Sequence, residues 1–154
     1  MRREKQGLSK EECIALLKSE KRGVLALSGD DNYPYCIYVN YYYDEKGNAI
    51  YLHGSKQGHK IDSIKRNNKV SFTVCNQGVK KNGDWAYTVD SVVIFGKAIL
   101  IDDIEETTKR VRELANKYYP SKEEVEEEIK KAIEYVQLIK IEVEHMSGKT
   151  ICEK

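Results

Sequence analysis

The sequence predicts a mainly β (α+β) domain, a small antiparallel β-barrel of about six strands with peripheral helices. Segments with strand-like alternation recur along the chain and are separated by turn residues. The helical segments between them are too irregularly spaced for βαβ repeats, and neither G-x-G-x-x-G nor G-x-x-x-x-G-K-[ST] occurs. The length of 154 residues fits one domain, which we place at 1–154.

The first segment predicts a helix followed by a strand. Ser9 and Glu12 form a capping-box pattern at the start of the helix. The apolar face of this helix is formed by Cys13, Leu16 and Leu17. We predict that the helix ends at Gly23, that 24–27 is a strand, and that the turn residues 28–32 close it.

Residues 33–43 predict one long second strand. One face carries Tyr35, Ile37, Val39, Tyr41 and Tyr43, and the other carries Cys36, Tyr38, Asn40 and Tyr42. Both faces are apolar or amphipathic, so we expect both to be covered. Residues 44–48 then form a hairpin loop, and 49–53 pairs back as the third strand.

The middle of the chain interrupts this meander. Residues 54–60 are polar and contain two glycines, and 61–67 predicts a short helix with Ile61 and Ile64 on one face. Residues 69–76 predict the fourth strand, and a polar loop follows through Asp84.

The C-terminal half predicts two more strands and two helices. Residues 85–100 are β-patterned with a bulge at Gly96, and 105–118 is a helix stopped by Pro120. Ser121 begins a second capping box, and the helix that it opens has an apolar stripe of Val125, Ile129, Ile133 and Val136. The last strand directs Ile139, Ile141 and Val143 inward and Lys140, Glu142 and Glu144 outward, and we expect it to end at His145.

The composition excludes several classes of protein. Lys and Arg number 26 and Asp and Glu 25, so the net charge of +1 gives no strong field for a nucleic acid. No apolar run approaches the roughly 18–20 residues that span a bilayer. The charged N-terminal residues are not followed by the apolar region of a secretory signal. We therefore expect a cytoplasmic protein with no membrane or nucleic-acid partner.

The cysteines and histidines do not form metal-binding patterns. Cys13, Cys36, Cys75 and Cys152 lie far apart, without the close pairs of zinc sites and redox dithiols. We predict reduced thiols, with Cys36 and Cys75 acting as small hydrophobic strand residues. The three histidines are also too widely spaced to be ligands, so no metal is expected.

The loop 54–60 carries the clearest functional signal. It joins a strand to a helix start, where unpaired backbone N–H groups and the helix dipole favour an anion. Gly54 and Gly58 allow close backbone approach. Ser55, Lys56, His59 and Lys60 add a hydroxyl donor and positive charge. This combination favours a phosphate monoester, although a basic loop that is merely solvated would have the same composition.

His53 ends the third strand immediately before this loop. It could therefore face the molecule that the phosphate anchors. A single strand histidine is also commonly a structural residue, and both interpretations stay open.

Segments throughout the chain also match a known family pattern. They are Met1-Arg-Arg, Leu8-Ser-Lys-Glu-Glu-Cys, Gly23-Val-Leu-Ala-Leu-Ser-Gly-Asp-Asp, Tyr33-Pro-Tyr, Val39-Asn-Tyr, Ile50-Tyr-Leu-His-Gly-Ser-Lys-Gln-Gly-His-Lys-Ile-Asp, Lys69-Val-Ser-Phe, Ser91-Val-Val-Ile-Phe-Gly-Lys-Ala and Ile141-Glu-Val-Glu-His-Met-Ser-Gly-Lys. In this order they resemble the split-barrel flavin-binding superfamily typified by pyridoxamine 5′-phosphate oxidase, and within it the 5-nitroimidazole-resistance proteins.

The resemblance implies a homodimer of six-stranded split barrels with FMN, sometimes FAD, in clefts between the subunits. It places Gly54, Ser55, Lys56, His59 and Lys60 around the flavin phosphate. It places Val39, Asn40 and Tyr41 beside the isoalloxazine ring. His53 would lie close to the cofactor or substrate and is the candidate catalytic residue.

The activity implied is flavin-dependent reduction of a small acceptor such as a nitroimidazole. The alternatives are a flavin-binding protein without turnover (a sensor, carrier or store) and, with less support, a pyridoxamine-phosphate oxidase, whose substrate-phosphate arginines have no counterpart that we can place. The chain departs from the resistance proteins at Val89 and Asp90, where those proteins commonly carry an aromatic–Arg pair. We expect this reversal of charge to affect the substrate pocket more than the fold.

Overall fold

The computed structural model describes residues 4–154 as one curled antiparallel sheet with helices packed around it. The helices are α1 (Lys10–Ser19), α2 (His59–Arg66), α3 (Ile104–Tyr118) and α4 (Lys122–Ala132). The strands are β1 (Arg22–Ser28), β2 (Pro34–Asn40), β3 (Tyr42–Asp44), β4 (Ala49–Ser55), β5 (Lys69–Cys75), β6 (Val79–Lys80), β7 (Tyr87–Ile101) and β8 (Val136–Cys152). The Met1-Arg-Arg segment of the resemblance lies outside the described residues.

The strand order in the sheet is β2-β1-β5-β7-β8-β4-β3, and the short β6 pairs with β7. Every pairing is antiparallel. The two end strands, β2 and β3, are consecutive in the chain and separated only by Tyr41. The predicted fold class, a split antiparallel barrel with peripheral helices, is confirmed, with eight strands in place of six.

Apolar residues on the two faces of the sheet form two cores. On β4, Ile50 and Leu52 belong to a large core that includes buried residues of α1 and α2. Ala49 and Tyr51 alternate with them and contribute to a smaller core beneath α3 and α4. Successive residues of β4 therefore point to different layers of the molecule.

Part of the sheet has a face that no described element covers. Its cross-strand neighbours form two rows, Tyr38–Val24–Thr73–Val93–Ser147 and Cys36–Ala26–Ser71–Phe95–His145, which we call the open sheet face. Tyr38 is 82% exposed and Phe95 53%. The expectation that both faces of the second strand are covered is therefore wrong for this chain taken alone.

Local sequence signals explain several element boundaries. The capping box of Ser9 and Glu12 is present, and Ser121 accepts a hydrogen bond from the backbone N–H of Glu124 at the start of α4. The predicted bulge is also present, because the register between β7 and β8 shifts between Phe95 and Gly96. A Cβ on Gly96 would lie 2.3 Å from the backbone oxygen of Glu142, so only glycine fits this close approach.

Two predicted boundaries near the N-terminus are wrong. Helix α1 ends at Ser19, and Gly23 lies inside β1, where a Cβ would be 2.2 Å from the Phe72 ring. Gly23 is therefore needed for packing against an aromatic ring. The strand predicted at 33–43 is broken at Tyr41, because β2 pairs with β1 whereas β3 pairs with β4.

The C-terminal boundaries also differ from the prediction. Helix α4 ends at Ala132, so Ile133 lies in a short 3-10 turn and Val136 begins β8. His145 does not end the last strand, because pairing with β7 continues as far as Cys152. Cys36 and Cys75 are free thiols on strands, but they are exposed and do not lie in the core.

Among residues 4–154, no helix combines the length and apolar character needed to cross a lipid bilayer.

Candidate functional site

The predicted phosphate loop is shorter than expected and leads directly into α2. Gly54 and Ser55 still belong to β4, so the connection is 56–58. Gly58 is the N-cap residue with φ of 129°, a conformation that favours glycine, and no side chain caps the helix. The hydroxyl of Ser55 donates to the backbone oxygen of Gln57 at 2.6 Å. The first backbone N–H groups of α2 therefore remain available to an anion.

Lys60 lies directly above Gly54. A Cβ on Gly54 would lie 2.7 Å from Nζ of Lys60 and 3.1 Å from its Cε. Burial lowers the pKa of the Lys60 ammonium, because the charged form loses hydration there. Within the described residues, no carboxylate or hydrogen-bond acceptor compensates this charge. Because Gly54 has no side chain, there is room at the start of α2 for the half-buried Lys60 ammonium.

His59 contacts a neighbouring strand. Its ring stacks on Tyr35 of β2, with ring centroids 4.2 Å apart and an interplanar angle of 4°. Its Nε2 lies 3.8 Å from a carboxylate oxygen of Asp30, which Arg66 also contacts at 3.0 Å. His59 therefore connects β2 to the start of α2, and its ring lies close to the Asp30 carboxylate.

Lys56 lies in the connection itself and is exposed. In the part of the chain that the structure describes, it forms no ion pair. It is therefore available to an anion at α2, but it is less confined than Lys60.

His53 points to a different layer from Gly54. It continues the Ala49–Tyr51 row of β4 and borders a cavity of about 110 Å³ beneath α3 and α4. Desolvation by the surrounding protein lowers the pKa of the imidazole, and the positive charge of Lys60 lowers it further. A neutral histidine thus lies next to the cationic loop while more than a third of the residue stays exposed.

The three residues predicted to border a ring differ in their surroundings. Val39 is half-buried on β2, and Asn40 is exposed on the opposite face of the strand. Tyr41 is fully buried, and its hydroxyl donates to the backbone oxygen of Leu17 at 2.6 Å. Its backbone N–H donates to the hydroxyl of Tyr118. The side chain of Tyr41 therefore belongs to the core and does not present its ring to a ligand.

The structure also identifies residues that the sequence reasoning missed. Tyr35 and Asp30 contact His59, and helices α3 and α4 form the cavity beside His53. The strand alternation already predicted Tyr35 and Val39 on one face, but the stacking of Tyr35 on His59 depends on the tertiary fold. Asp90, the departure from the family pattern, accepts a hydrogen bond from the Thr150 hydroxyl at 2.5 Å. That carboxylate is thus held by the neighbouring strand.

The arrangement at α2 fits the phosphate end of a nucleotide-like cofactor. An uncapped helix start and the Lys60 ammonium both favour an anion, and the absence of a side chain at Gly54 leaves room for that ammonium. No group of three or more His, Cys, Asp or Glu side chains within residues 4–154 is arranged to hold a metal ion.

Comparisons with known proteins agree with the fold. The family model described as pyridoxamine 5′-phosphate oxidase matches residues 9–150. No curated protein matches the sequence.

Three solved structures illustrate the likeness. A protein from Bacteroides thetaiotaomicron, proposed to be a 5-nitroimidazole antibiotic resistance protein, is 21% identical with a TM-score of 0.79, over 95% of this chain and 87% of that one. A conserved hypothetical protein from Mycobacterium tuberculosis is 19% identical with a TM-score of 0.81, over 96% and 88%. An FAD-binding protein from Mesorhizobium loti is 22% identical with a TM-score of 0.69, over 95% and 97%. At these identities the likeness establishes the shared fold.

Proposed function

Because the chain belongs to the pyridoxamine 5′-phosphate oxidase family, we propose that it binds a flavin through the start of α2. FMN is the first candidate. The observation that carries the proposal is the half-buried Lys60 ammonium above Gly54, which has no acceptor within the described residues. A phosphate monoester carries close to two negative charges near neutral pH, so it would compensate this cation and the uncapped helix start together. The Mesorhizobium loti structure of an FAD-binding protein makes FAD the second candidate.

The family pattern assigns further residues to the same cofactor. Lys56 and His59 would add positive charge near the phosphate, and Ser55 would support the loop by its bond to Gln57. Val39, Asn40 and the main chain around Tyr41 would lie beside the isoalloxazine ring. The stacking of His59 on Tyr35 supports this assignment, because it brings β2 to the start of α2.

We further propose a homodimer with the flavin between the subunits. The open sheet face supports it, since none of its ten positions in the two paired rows is Asp, Glu, Lys or Arg. The face of an antiparallel sheet that stays in water usually carries polar residues, which alternate along each strand with the apolar residues of the buried face. A second copy of the chain would bury Tyr38 and Phe95, which are large and exposed in the single chain.

The activity that we propose is reduction of a small acceptor such as a nitroimidazole. When bound, the flavin would supply two-electron transfer from a donor to that acceptor. His53 would contact the acceptor or pass a proton to it, because its neutral imidazole has both a donor and an acceptor nitrogen. The alternative is a flavin-binding protein without turnover.

Flavin binding is tested with two lysines of the same helix. Lys60→Ala removes the cation above Gly54, and a charge-assisted contact to phosphate contributes roughly 1.5–3 kcal/mol. We expect the Kd for FMN, measured by flavin fluorescence quenching, to rise at least about tenfold. Lys65→Ala removes an exposed cation from the last turn of α2 and is the control. If the two variants have equal Kd values for FMN, the phosphate binds elsewhere. Whether the bound flavin is FMN or FAD is determined by identifying the flavin that denatured protein releases.

Turnover is tested with the flavin-loaded protein under anaerobic conditions. The bound flavin is photoreduced, and a nitroimidazole is then added while the absorbance of oxidised flavin is followed. Reoxidation with loss of the nitro absorbance supports the reductase, and His53→Ala is expected to slow this step while retaining flavin. A reduced flavin that persists in the presence of every nitro compound tried would favour the alternative without turnover.

A further inference from the structure

His145 is the only histidine among the ten paired positions of the open sheet face. It pairs with Phe95 across β7 and β8, and the two rings stack with their centroids 6.1 Å apart and an interplanar angle of 17°. Both residues are exposed in the single chain. A change in the charge of His145 therefore takes place on the surface that we assign to the homodimer.

Acid adds charge to these rows only through His145. Cys36 and Tyr38 are the other titratable residues there, and both are neutral when protonated. The remaining seven positions carry no titratable side chain. Since histidine is the side chain that ordinarily changes charge between about pH 5 and pH 8, mild acid gives this otherwise uncharged surface one positive charge per chain.

The nearest carboxylates already face lysines. Glu144 precedes His145 on β8, and its carboxylate lies 3.8 Å from Nζ of Lys97 on β7. The carboxylate of Glu142 lies 3.5 Å from Nζ of Lys140. Among residues 4–154, His145 itself forms no ion pair. A protonated His145 therefore has no carboxylate of its own to compensate it.

The charged side chains that border the two rows are mostly cations. Lys69 of β5 and Lys97 of β7 pair with each other just beyond the row that contains His145. Arg22 of β1 and Lys149 of β8 lie just beyond the other row. These four positive charges oppose a further positive charge on the face between them.

We propose that protonation of His145 dissociates the homodimer, so that the open sheet face is an acid-sensitive switch. This inference rests on the homodimer of the proposed function. In a symmetric dimer both copies of His145 are removed from water, and a charge that is buried without a partner is strongly disfavoured. In the separated chain the same imidazolium stays hydrated. The separated chains therefore bind more protons than the dimer, and acid shifts the equilibrium toward them.

The symmetry of the dimer makes the expected response steep. Each dimer contains two copies of His145, so the uptake of one proton by each copy raises the dissociation constant by up to about 100-fold for each pH unit. Because the flavin is proposed to lie between the subunits, the same step would also separate the two sides of the cofactor site.

The experiment measures the dimer dissociation constant of the full chain at pH 8 and at pH 5.5, by sedimentation velocity over a series of protein concentrations. Flavin is left out, because the proposed phosphate site also contains a histidine. Far-UV circular dichroism at each pH shows that the chain stays folded. We expect the dissociation constant to be at least about tenfold higher at pH 5.5 than at pH 8.

Two variants of His145 and one control test the cause. His145→Gln keeps a polar side chain that cannot be charged, so we expect the same dissociation constant at both pH values. His145→Lys carries a positive charge at both, so we expect a folded monomer even at pH 8. Tyr135→Lys adds the same charge at a residue that is 73% exposed outside the open sheet face, and it should dimerise as the wild type does.

The outcomes separate the switch from the homodimer. If the wild type dimerises equally at both pH values, or if His145→Gln dissociates in acid as the wild type does, the switch is wrong and the homodimer stands. The switch is also wrong if His145→Lys dimerises as well as Tyr135→Lys, or if acid unfolds the wild-type chain. A wild type that is monomeric at pH 8 overturns the homodimer and the switch together, whereas flavin binding is tested separately by Lys60→Ala.

Discussion

At the scale of single residues, the site depends on the absence of a side chain. Gly54 has ordinary strand geometry, so its glycine is not required by backbone conformation. It is required because Nζ of Lys60 occupies the position next to which a Cβ would stand, 2.7 Å away. The end of a lysine side chain is flexible, so a larger residue at position 54 would displace the Lys60 ammonium and leave the backbone in place.

We therefore expect Gly54→Ala to weaken flavin binding without unfolding the protein. The Kd for FMN should rise by up to the effect of Lys60→Ala, because the displaced ammonium loses a contact of roughly 1.5–3 kcal/mol. The melting temperature of the flavin-free protein should stay within a few degrees of wild type.

Gly47→Ala is the matched control for this prediction. A Cβ there would lie 2.6 Å from Oδ2 of Asp44, which is also the end of a side chain, but in the β3–β4 hairpin. If both substitutions weaken FMN binding equally, the position of Lys60 does not control affinity.

At the scale of elements, the end of α3 fixes the break between β2 and β3. The hydroxyl of Tyr118 accepts from the backbone N–H of Tyr41 at 2.9 Å and lies 2.8 Å from its carbonyl oxygen. Lys117 also donates to the backbone oxygen of Tyr41. These contacts give hydrogen-bond partners to the backbone N–H and carbonyl oxygen of Tyr41, which lies between β2 and β3 and belongs to neither strand.

Tyr118→Phe should lower the free energy of unfolding by about 1–3 kcal/mol, because the Tyr41 N–H loses its partner in a buried position. Urea denaturation monitored by circular dichroism measures this change. Tyr119→Phe removes the hydroxyl of the adjacent, 43% exposed residue and should change stability by less than about 0.5 kcal/mol. Similar midpoints for the two variants would show that the Tyr118 hydroxyl does not stabilise the break.

The break between β2 and β3 also shows which features of the fold could be predicted from the sequence. Alternation predicts that Tyr35, Val39 and Tyr43 share one face, and they do pack together in the large core. The inward pattern continues through Tyr41 without interruption, so periodicity contains no sign that the strand ends there. The break arises because β2 pairs with β1 whereas β3 pairs with β4, and the alternation of side chains is the same for either partner.

The candidate site was predictable to a similar degree. A helix start after the glycine-containing loop and the cation at Lys60 follow from local sequence, although α2 begins at His59 and not at residue 61 as predicted. The surroundings of His53 do not, because α3 and α4 come more than about fifty residues later in the chain, beyond the reach of any local pattern. His59 stacked on Tyr35 is equally a result of tertiary contact.

At the scale of the whole molecule, the open sheet face leads us to expect a homodimer. Phe95 is 53% exposed in one of the two rows, between Ser71 and His145. We expect the wild-type protein to sediment as a dimer and Phe95→Glu to sediment as a folded monomer, because a carboxylate would be buried without a partner.

Tyr135→Glu is the control for the dimer, because Tyr135 is 73% exposed outside the open sheet face. It should leave the dimer intact. A wild-type protein that is monomeric at micromolar concentration would overturn the expectation, as would a Phe95→Glu variant that dimerises normally.

The position of β8 has a consequence for biosynthesis. This 17-residue strand lies between β7 and β4, so it joins the half of the sheet built from β1, β2 and β5 to the half built from β3 and β4. While the ribosome is still translating α4, the two halves have no strand to connect them, and their apolar surfaces stay exposed on the nascent chain. The barrel can therefore close only after β8 has been made, so the stage of synthesis just before β8 is the one most exposed to aggregation and to chaperone binding.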